Sequence, residues 1–473
     1  MLCMSSTLLL LLPTLALASK SSGSKSAPGA GCTGTISSLD DVSAALKCQT
    51  ININSFTIPG GKTLNLKSSL DNVVINLLGD LVFEVEYWRG SLMIVGGNNL
   101  QLNGGGNTIN ANGQEYWDNK GSKNGRSKPS PTLHIIGGGL VQDLTILNTP
   151  AQAVSIQNSE PLLVRNVLVD DRAGDALGRN TDGFGVSSST GLTIDNCTVY
   201  NQDDCIALNS ANNTVINNVN CYNGHGISIG SMQSNQQVTN VRVENSNIVN
   251  SEQCIRVKAF PNLKNSLVQK VRYSGNTCTG ARKFGVLFNQ NYQEHAKVDT
   301  KTSLAQVPST EMQINDIEFT GTNNLFEVEK TAWRFGGTCA LGKCNRWNFE
   351  SLVVKGGTPG VFLNTPIDDF VHSSSGSEGS KSAPRQPAPG DGSTDSSKSP
   401  DPSSHDKSGN GTAGSPADPN TGSTPLATPL PKTHQNPKSK HHGQHQGHGS
   451  HTHTHRSLRL AKRRLEDIAY QAK

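Results

Sequence analysis

From residue 51 to about residue 362 the chain is built of short runs in which apolar and polar positions alternate. Examples are Asn72-Val73-Val74-Ile75-Asn76, Leu92-Met93-Ile94-Val95 and Leu133-His134-Ile135-Ile136, with glycines and asparagines breaking the runs. Period-two patterning between such breaks predicts strands, not helices. A phrase of Asn or Asp followed by alternating apolar residues recurs at Asp143, Asn166, Asn196, Asn218, Asn245 and Asp316, and its first five copies begin 23, 30, 22 and 27 residues apart. Repeats of that length, made of strands and polar turns, predict a stacked β-solenoid. Each coil then adds one parallel strand, rising about 4.8 Å. Residues 40–47 predict one short helix, placed to cover the open end of the stack.

Composition agrees and adds boundaries. Forty-eight glycines and only five methionines suit a turn-rich β protein rather than a helical bundle. The formal charge of +4 misleads, because residues 372–473 hold 13 Lys+Arg against 8 Asp+Glu, which leaves the rest near −1. The core is therefore not a basic nucleic-acid binder. Residues 1–18 read as a secretory signal, with an apolar run at 8–12 and Ala16-Leu17-Ala18 as a small-x-small cleavage site. That run is too short to span a bilayer, so a secreted, extracellular protein is expected. Residues 19–31 read as a flexible leader and 32–371 as the solenoid. Residues 372–455 are Ser/Gly/Pro-rich, lack the apolar surface to offset ordering entropy, and are expected to be disordered. Eight histidines between His434 and His455 could hold a transition metal loosely; a solvated low-complexity tract is the blander reading and the one preferred. Residues 456–473 put Leu458, Ala461, Leu465 and Ile468 on one face of a basic amphipathic segment.

The chemistry concentrates between positions 180 and 258: Asn180-Thr181-Asp182-Gly183, Gln202-Asp203-Asp204-Cys205, Gly224-His225-Gly226 and Arg256-Val257-Lys258. Asp182 to Asp204 and Asp203 to His225 are both 22 residues apart, one coil in the tightest part of the repeat. Three carboxylates, a histidine and two cations should then share one face. Packing alone gains nothing from crowding carboxylates. Crowding does raise a carboxyl pKa by charge repulsion, which an acid catalyst needs. Adjacent Asp203 and Asp204 cannot both face a cleft from a regular strand, so the backbone must bend there or enter a turn. Glycines on both sides of His225 leave room for the backbone to approach closely. Arg256 and Lys258, two apart, share a face; taken alone they are a solvated edge, but beside carboxylates they would bind a substrate carboxylate and select a uronic acid.

In order, spacing and composition these four segments resemble the signature of polygalacturonases, pectin-hydrolysing glycosidases folded as right-handed parallel β-helices. Further matches are Gly60-Gly61-Lys62-Thr63-Leu64, Glu86-Tyr87-Trp88-Arg89-Gly90, Asn148-Thr149-Pro150 and Gln290-Asn291-Tyr292. The similarity covers residues 32 to about 370 and is nearest the secreted fungal-type endo-acting enzymes. It implies an all-β parallel helix and hydrolysis of α-1,4 bonds in de-esterified polygalacturonate without cofactor or metal. It assigns Asp203 as general acid and Asp182 with Asp204 to the attacking water, with His225 in support. Inversion follows, with a carboxylate gap of about 6.5–9.5 Å. Tyr292 would line the same subsite as Arg256 and Lys258, with Asn180 and Gln290 as further sugar contacts. A monomer is expected, with plant polygalacturonase-inhibiting proteins as protein partners.

With Cys3 in the signal, nine cysteines remain, an odd number. The resemblance implies Cys32–Cys48, Cys205–Cys221 and Cys339–Cys344. Cys197, Cys254 and Cys278 are left, so at least one thiol is free; Cys197, in the inward register of Val167 and Val219, reads as a buried inert one. Asn196, Asn212 and Asn410 are N-glycosylation acceptors by sequence. The readings set against a polygalacturonase are a Ca²⁺-dependent lyase, a rhamnogalacturonan hydrolase and a non-catalytic wall-binding solenoid.

Overall fold

The computed structural model describes residues 31–122, 124–293 and 308–367. The expected signal, nearly all of the leader, the Ser/Gly/Pro- and His-rich tail, the basic C-terminal segment and Asn410 lie outside the described residues.

The chain is a parallel β-helix whose strands form three ladders. One runs through Ile51, Ile75, Leu102, Val141, Val164, Ile194, Ile216 and Val243, each the Cα partner of the next. A second passes from Phe184 through Ile206, Ile227, Ile255 and Val286 to Phe335. The third passes from Val199 through Cys221, Ile248 and Cys278 to Phe326. Alternate side chains point into the bore, and all of these are buried. Burying each of the larger ones contributes about 1.5–3 kcal/mol.

The recurring Asn/Asp phrase marks a corner of the coil. Asp143, Asn166, Asn196, Asn218, Asn245 and Asp316 have φ between 50° and 59°, the left-handed region that Asn and Asp tolerate better than other residues with a Cβ. Their amides join up the stack: Asn166 Nδ2 donates to Asp143 Oδ1 at 2.7 Å, Asn196 Nδ2 to Asn166 Oδ1 at 2.7 Å and Asn218 Nδ2 to Asn196 Oδ1 at 2.9 Å. Asn196, an expected glycan acceptor, is exposed. What opposes glycosylation there is its place in this ladder, which already uses Nδ2.

The expected cap forms as a 3-10 turn, Leu39–Asp41, running into a short helix, Val42–Ala45. Asp41 Oδ2 accepts from Ser37 N and Ser38 N, each at 2.9 Å. Leu39, Val42 and Leu46 then lean on the first coil. Toward the far end an aromatic cluster of Phe319, Phe326, Phe335, Trp347 and Phe349 fills the bore, with Phe319 and Phe349 rings 5.0 Å apart. Disulfides join Cys32–Cys48, Cys205–Cys221 and Cys339–Cys344, and a fourth joins Cys254 of the second ladder to Cys278 of the third. Cys197 is free and buried, and burial pushes its thiol up to about 12.

Candidate active site

Asp182, Asp203, Asp204 and His225 lie where the third ladder turns into the second, and Arg256 and Lys258 lie on a strand of the second, Gln253–Ala259. Asp203 and Asp204 occupy the bend between the strands Thr198–Tyr200 and Ile206–Leu208. That bend is how neighbouring aspartates escape strand alternation. Asn201 fixes it: its Nδ2 donates to Thr181 O at 2.7 Å and to Asp204 O at 2.9 Å. Gly183 N donates to Asp204 O at 2.9 Å, so the Asp182 segment stacks on the Asp204 segment as the 22-residue spacing implied.

The next coil is one residue shorter in register. Ile206 pairs with Ile227, an offset of 21, so strict stacking would set Asp204, not Asp203, against His225. The turn absorbs the difference. His225 N donates to Asp203 O at 2.7 Å, and the ring Nδ1 lies 3.0 Å from Asp203 Oδ1. The two glycines make this approach possible. A Cβ on Gly224 would lie 2.2 Å from Asp203 O, and one on Gly226, at φ +76°, 2.1 Å from Gln253 O.

Each carboxylate has a distinct setting. Asp203 Oδ1 also accepts from Asp204 N at 2.8 Å, and Oδ2 accepts from Asn180 Nδ2 at 3.1 Å. Asn180 is aimed by Ser122 N, which donates to its Oδ1 at 3.2 Å. That loop is tied down by buried Lys128, whose Nζ is 2.6 Å from Asp118 Oδ1. Asp204 is buried, takes Ser228 Oγ on Oδ1 at 2.7 Å, and pairs with Lys258 through Oδ2. Asp182 is half-buried.

The protons follow from these settings. Burial, then the charges of Asp203 and Asp204, push Asp182 well above the usual carboxylate range. Burial alone would raise Asp203 too, but the charge and hydrogen bond of His225, with help from Lys258 and the Asp204 N–H, hold it well below that range. His225 is raised above an ordinary imidazole: burial opposes its charge, and Asp203 and Glu252 outweigh burial. Crowding thus raises one carboxyl as expected, but that carboxyl is Asp182. Asp203 instead faces a ring whose charged form is favoured.

Two expected substrate contacts are altered. Lys258 pairs with buried Asp204 while both cations stay over Tyr292, the Arg256 guanidinium carbon 5.1 Å and Lys258 Nζ 5.7 Å from the ring centroid. Gln290 is fully buried and has a main-chain role: its Nε2 donates to Met312 O at 3.1 Å and its Oε1 accepts from Ala340 N at 2.9 Å. One oxygen each of Asp203 and Asp204 and a ring nitrogen of His225 come within 4.8 Å of one another. For the two aspartates that is a closer approach than the wide gap expected of an inverting pair. It is also a possible ligand set for a metal, but Ser228 and Lys258 already occupy both oxygens of Asp204, which fits a cation poorly. Ser228, Asn201 and Glu252 belong to the site and were not singled out from sequence. The first two sit in ordinary strand and turn contexts. Glu252 follows His225 by 27 residues, the length of that coil in the third ladder, where Cys221 pairs with Ile248.

Clustered carboxylates with opposed pKa shifts on one face of a parallel β-helix fit a solenoid glycoside hydrolase. Residues 48–367 match glycosyl hydrolases family 28, and the chain belongs to that family. It is similar to endopolygalacturonase A of Aspergillus flavus, 35% identical over 333 residues, which are 69% of this chain and 88% of that protein. Endopolygalacturonase B of Emericella nidulans is 34% identical over 319 residues, 67% and 85% of the two chains. Among solved structures, endopolygalacturonase I from Stereum purpureum, complexed with two galacturonate, matches with a TM-score of 0.65 at 37% identity, covering 70% of this chain and 96% of that one. Among the described residues no helix is long and apolar enough to cross a membrane.

Proposed function

We propose that this protein is a secreted endopolygalacturonase that hydrolyses α-1,4-galacturonosyl bonds of de-esterified pectin with inversion, and so contributes to plant cell-wall degradation. The observation that carries the reading is the pairing of Asp203 with His225 of the next coil, beside an Asp204 that is paired with Lys258. Asp203 delivers a proton to the glycosidic oxygen as the C–O bond breaks. Water held between Asp182 and Asp204 attacks the anomeric carbon from the opposite face and loses a proton to that pair. Arg256, beside Tyr292, receives a uronate carboxylate, and Asn180 keeps Asp203 oriented. Endo action follows the names of the similar proteins. The protein acts as a monomer, and plant polygalacturonase-inhibiting proteins are the protein partners its family resemblance suggests.

Reducing-end release from polygalacturonate tests the reading, with viscosity followed in parallel. Hydrolysis with rapid viscosity loss is expected. An unsaturated, UV-absorbing product would mean a lyase instead. No release from any pectic polymer would leave a wall-binding solenoid.

A further inference from the structure

His225 is held at both ends. Its Nδ1 meets Asp203 Oδ1 at 3.0 Å, and its Nε2 lies 3.6 Å from Glu252 Oε2. Glu252 in turn meets Lys283 Nζ at 2.7 Å. The three side chains come from successive coils whose backbones are joined: Glu252 N donates to Gly224 O at 2.8 Å, and Lys283 N to Glu252 O at 2.8 Å. A neutral imidazole carries one N–H and one lone pair. Between two carboxylates that lone pair would face a negative charge, so the doubly protonated ring is favoured. The anionic groups bearing on the ring are Asp203, Glu252 and Asp204; Arg256 and Lys283 bear on Glu252, and Lys258 on Asp203.

We infer that Glu252 is a positioning residue for hydrolysis: from the next coil it pins His225 Nε2, keeping the ring cationic with Nδ1–H aimed at Asp203, while Lys283 pins Glu252. This rests on the reading of Asp203 as proton donor. As the glycosidic oxygen approaches, one proton passes from Nδ1 to Asp203. It then passes from Asp203 to that oxygen as the C–O bond breaks, leaving the ring neutral and Asp203 ionised. The ring is the store, and Glu252 keeps it filled.

Two readouts on the full secreted protein test this: an NMR titration of the His225 ring, identified by its loss in His225→Ala, and the pH profile of kcat/KM on polygalacturonate. In Glu252→Gln the ring midpoint should fall by about one pH unit, and the basic limb of the profile should move with it. Glu252→Asp keeps the charge on a shorter arm and should shift both less; it carries the same readout if the Gln variant does not fold. Ring midpoints within about 0.2 unit of wild type in the folded variants would overturn the assignment. A wild-type protein inert on polygalacturonate would overturn the functional reading alone, since the ring titration needs no turnover.

Discussion

Thr149 Oγ1 sits 2.7 Å from Ala151 O and 2.7 Å from Asp171 Oδ2. One hydroxyl carries one proton and cannot donate to both. Thr149 N already donates to Asp171 Oδ1 at 2.6 Å. If the hydroxyl donates to the Ala151 carbonyl, which has no proton of its own, Asp171 Oδ2 must supply the other proton. With the proton so placed, Asp171 is a neutral acid inside the fold. Its surroundings agree: burial pushes its pKa up to about 8 against the lowering effect of the Thr149 hydrogen bonds.

An acid with a raised folded pKa keeps a proton that the unfolded chain releases above about pH 3.9, so its contribution to stability falls as pH rises from there to its folded pKa. The loss is about 1.4 kcal/mol per pH unit. Asp171→Asn should flatten the decline in stability between about pH 4 and pH 8. Urea midpoints at both ends of that window, compared with wild type, provide the check. Equal slopes would mean that Asp171 is ionised.

The site groups set the wider profile. His225 contributes stability fully present below about pH 6.5 and lost as pH climbs through its raised pKa; Asp203 contributes stability present above about pH 3.9 and lost as pH falls through its lowered one. Asp182, raised like Asp171, loses its contribution from about pH 3.9 upward. Thermal unfolding should therefore peak at about pH 4 and decline as pH rises from there. A maximum above pH 8 would contradict this proton distribution.

Asp203→Asn removes the proposed donor while keeping its shape. Loss of a general acid lowers kcat by about 10²–10⁴-fold, with a smaller effect on KM. Initial rates of reducing-end release decide, and equal activity in the variant would remove Asp203 from that role. The first anomer formed, followed by proton NMR, tests inversion independently.

Lys258→Met strands a buried carboxylate. Removing one partner of a buried ion pair costs about 3–5 kcal/mol, so the denaturant midpoint should drop sharply with an unchanged slope. Asp204→Asn in the same background should recover part of the loss, since the stranded charge goes with it.

The sequence patterns carried the solenoid, the corner asparagines and the stacking of Asp182 on Asp204, because each depends on local periodicity alone. They failed wherever coil length shifted. The 22-residue rule placed His225 one residue out of strand register, and only the turn restored its contact with Asp203. Lys258 and Gln290 show a different limit. A strand pattern shows which face a long side chain leaves from, but not whether it reaches out to solvent or in to a buried partner. The Cys254–Cys278 link stayed undetermined because three leftover thiols admit several pairings. Glu252 escaped notice because its significance lies entirely in where His225 points.

The left-handed asparagine corners let coils of unequal length share one register. Thr193 to Val215 spans 22 residues, Val215 to Arg242 spans 27 and Arg242 to Arg272 spans 30, yet all four residues stack. Extra chain is thereby exiled to the loops between corners, including those that rim the catalytic face. Such an architecture can remodel what it grips by lengthening a loop, without disturbing the bore that keeps it upright.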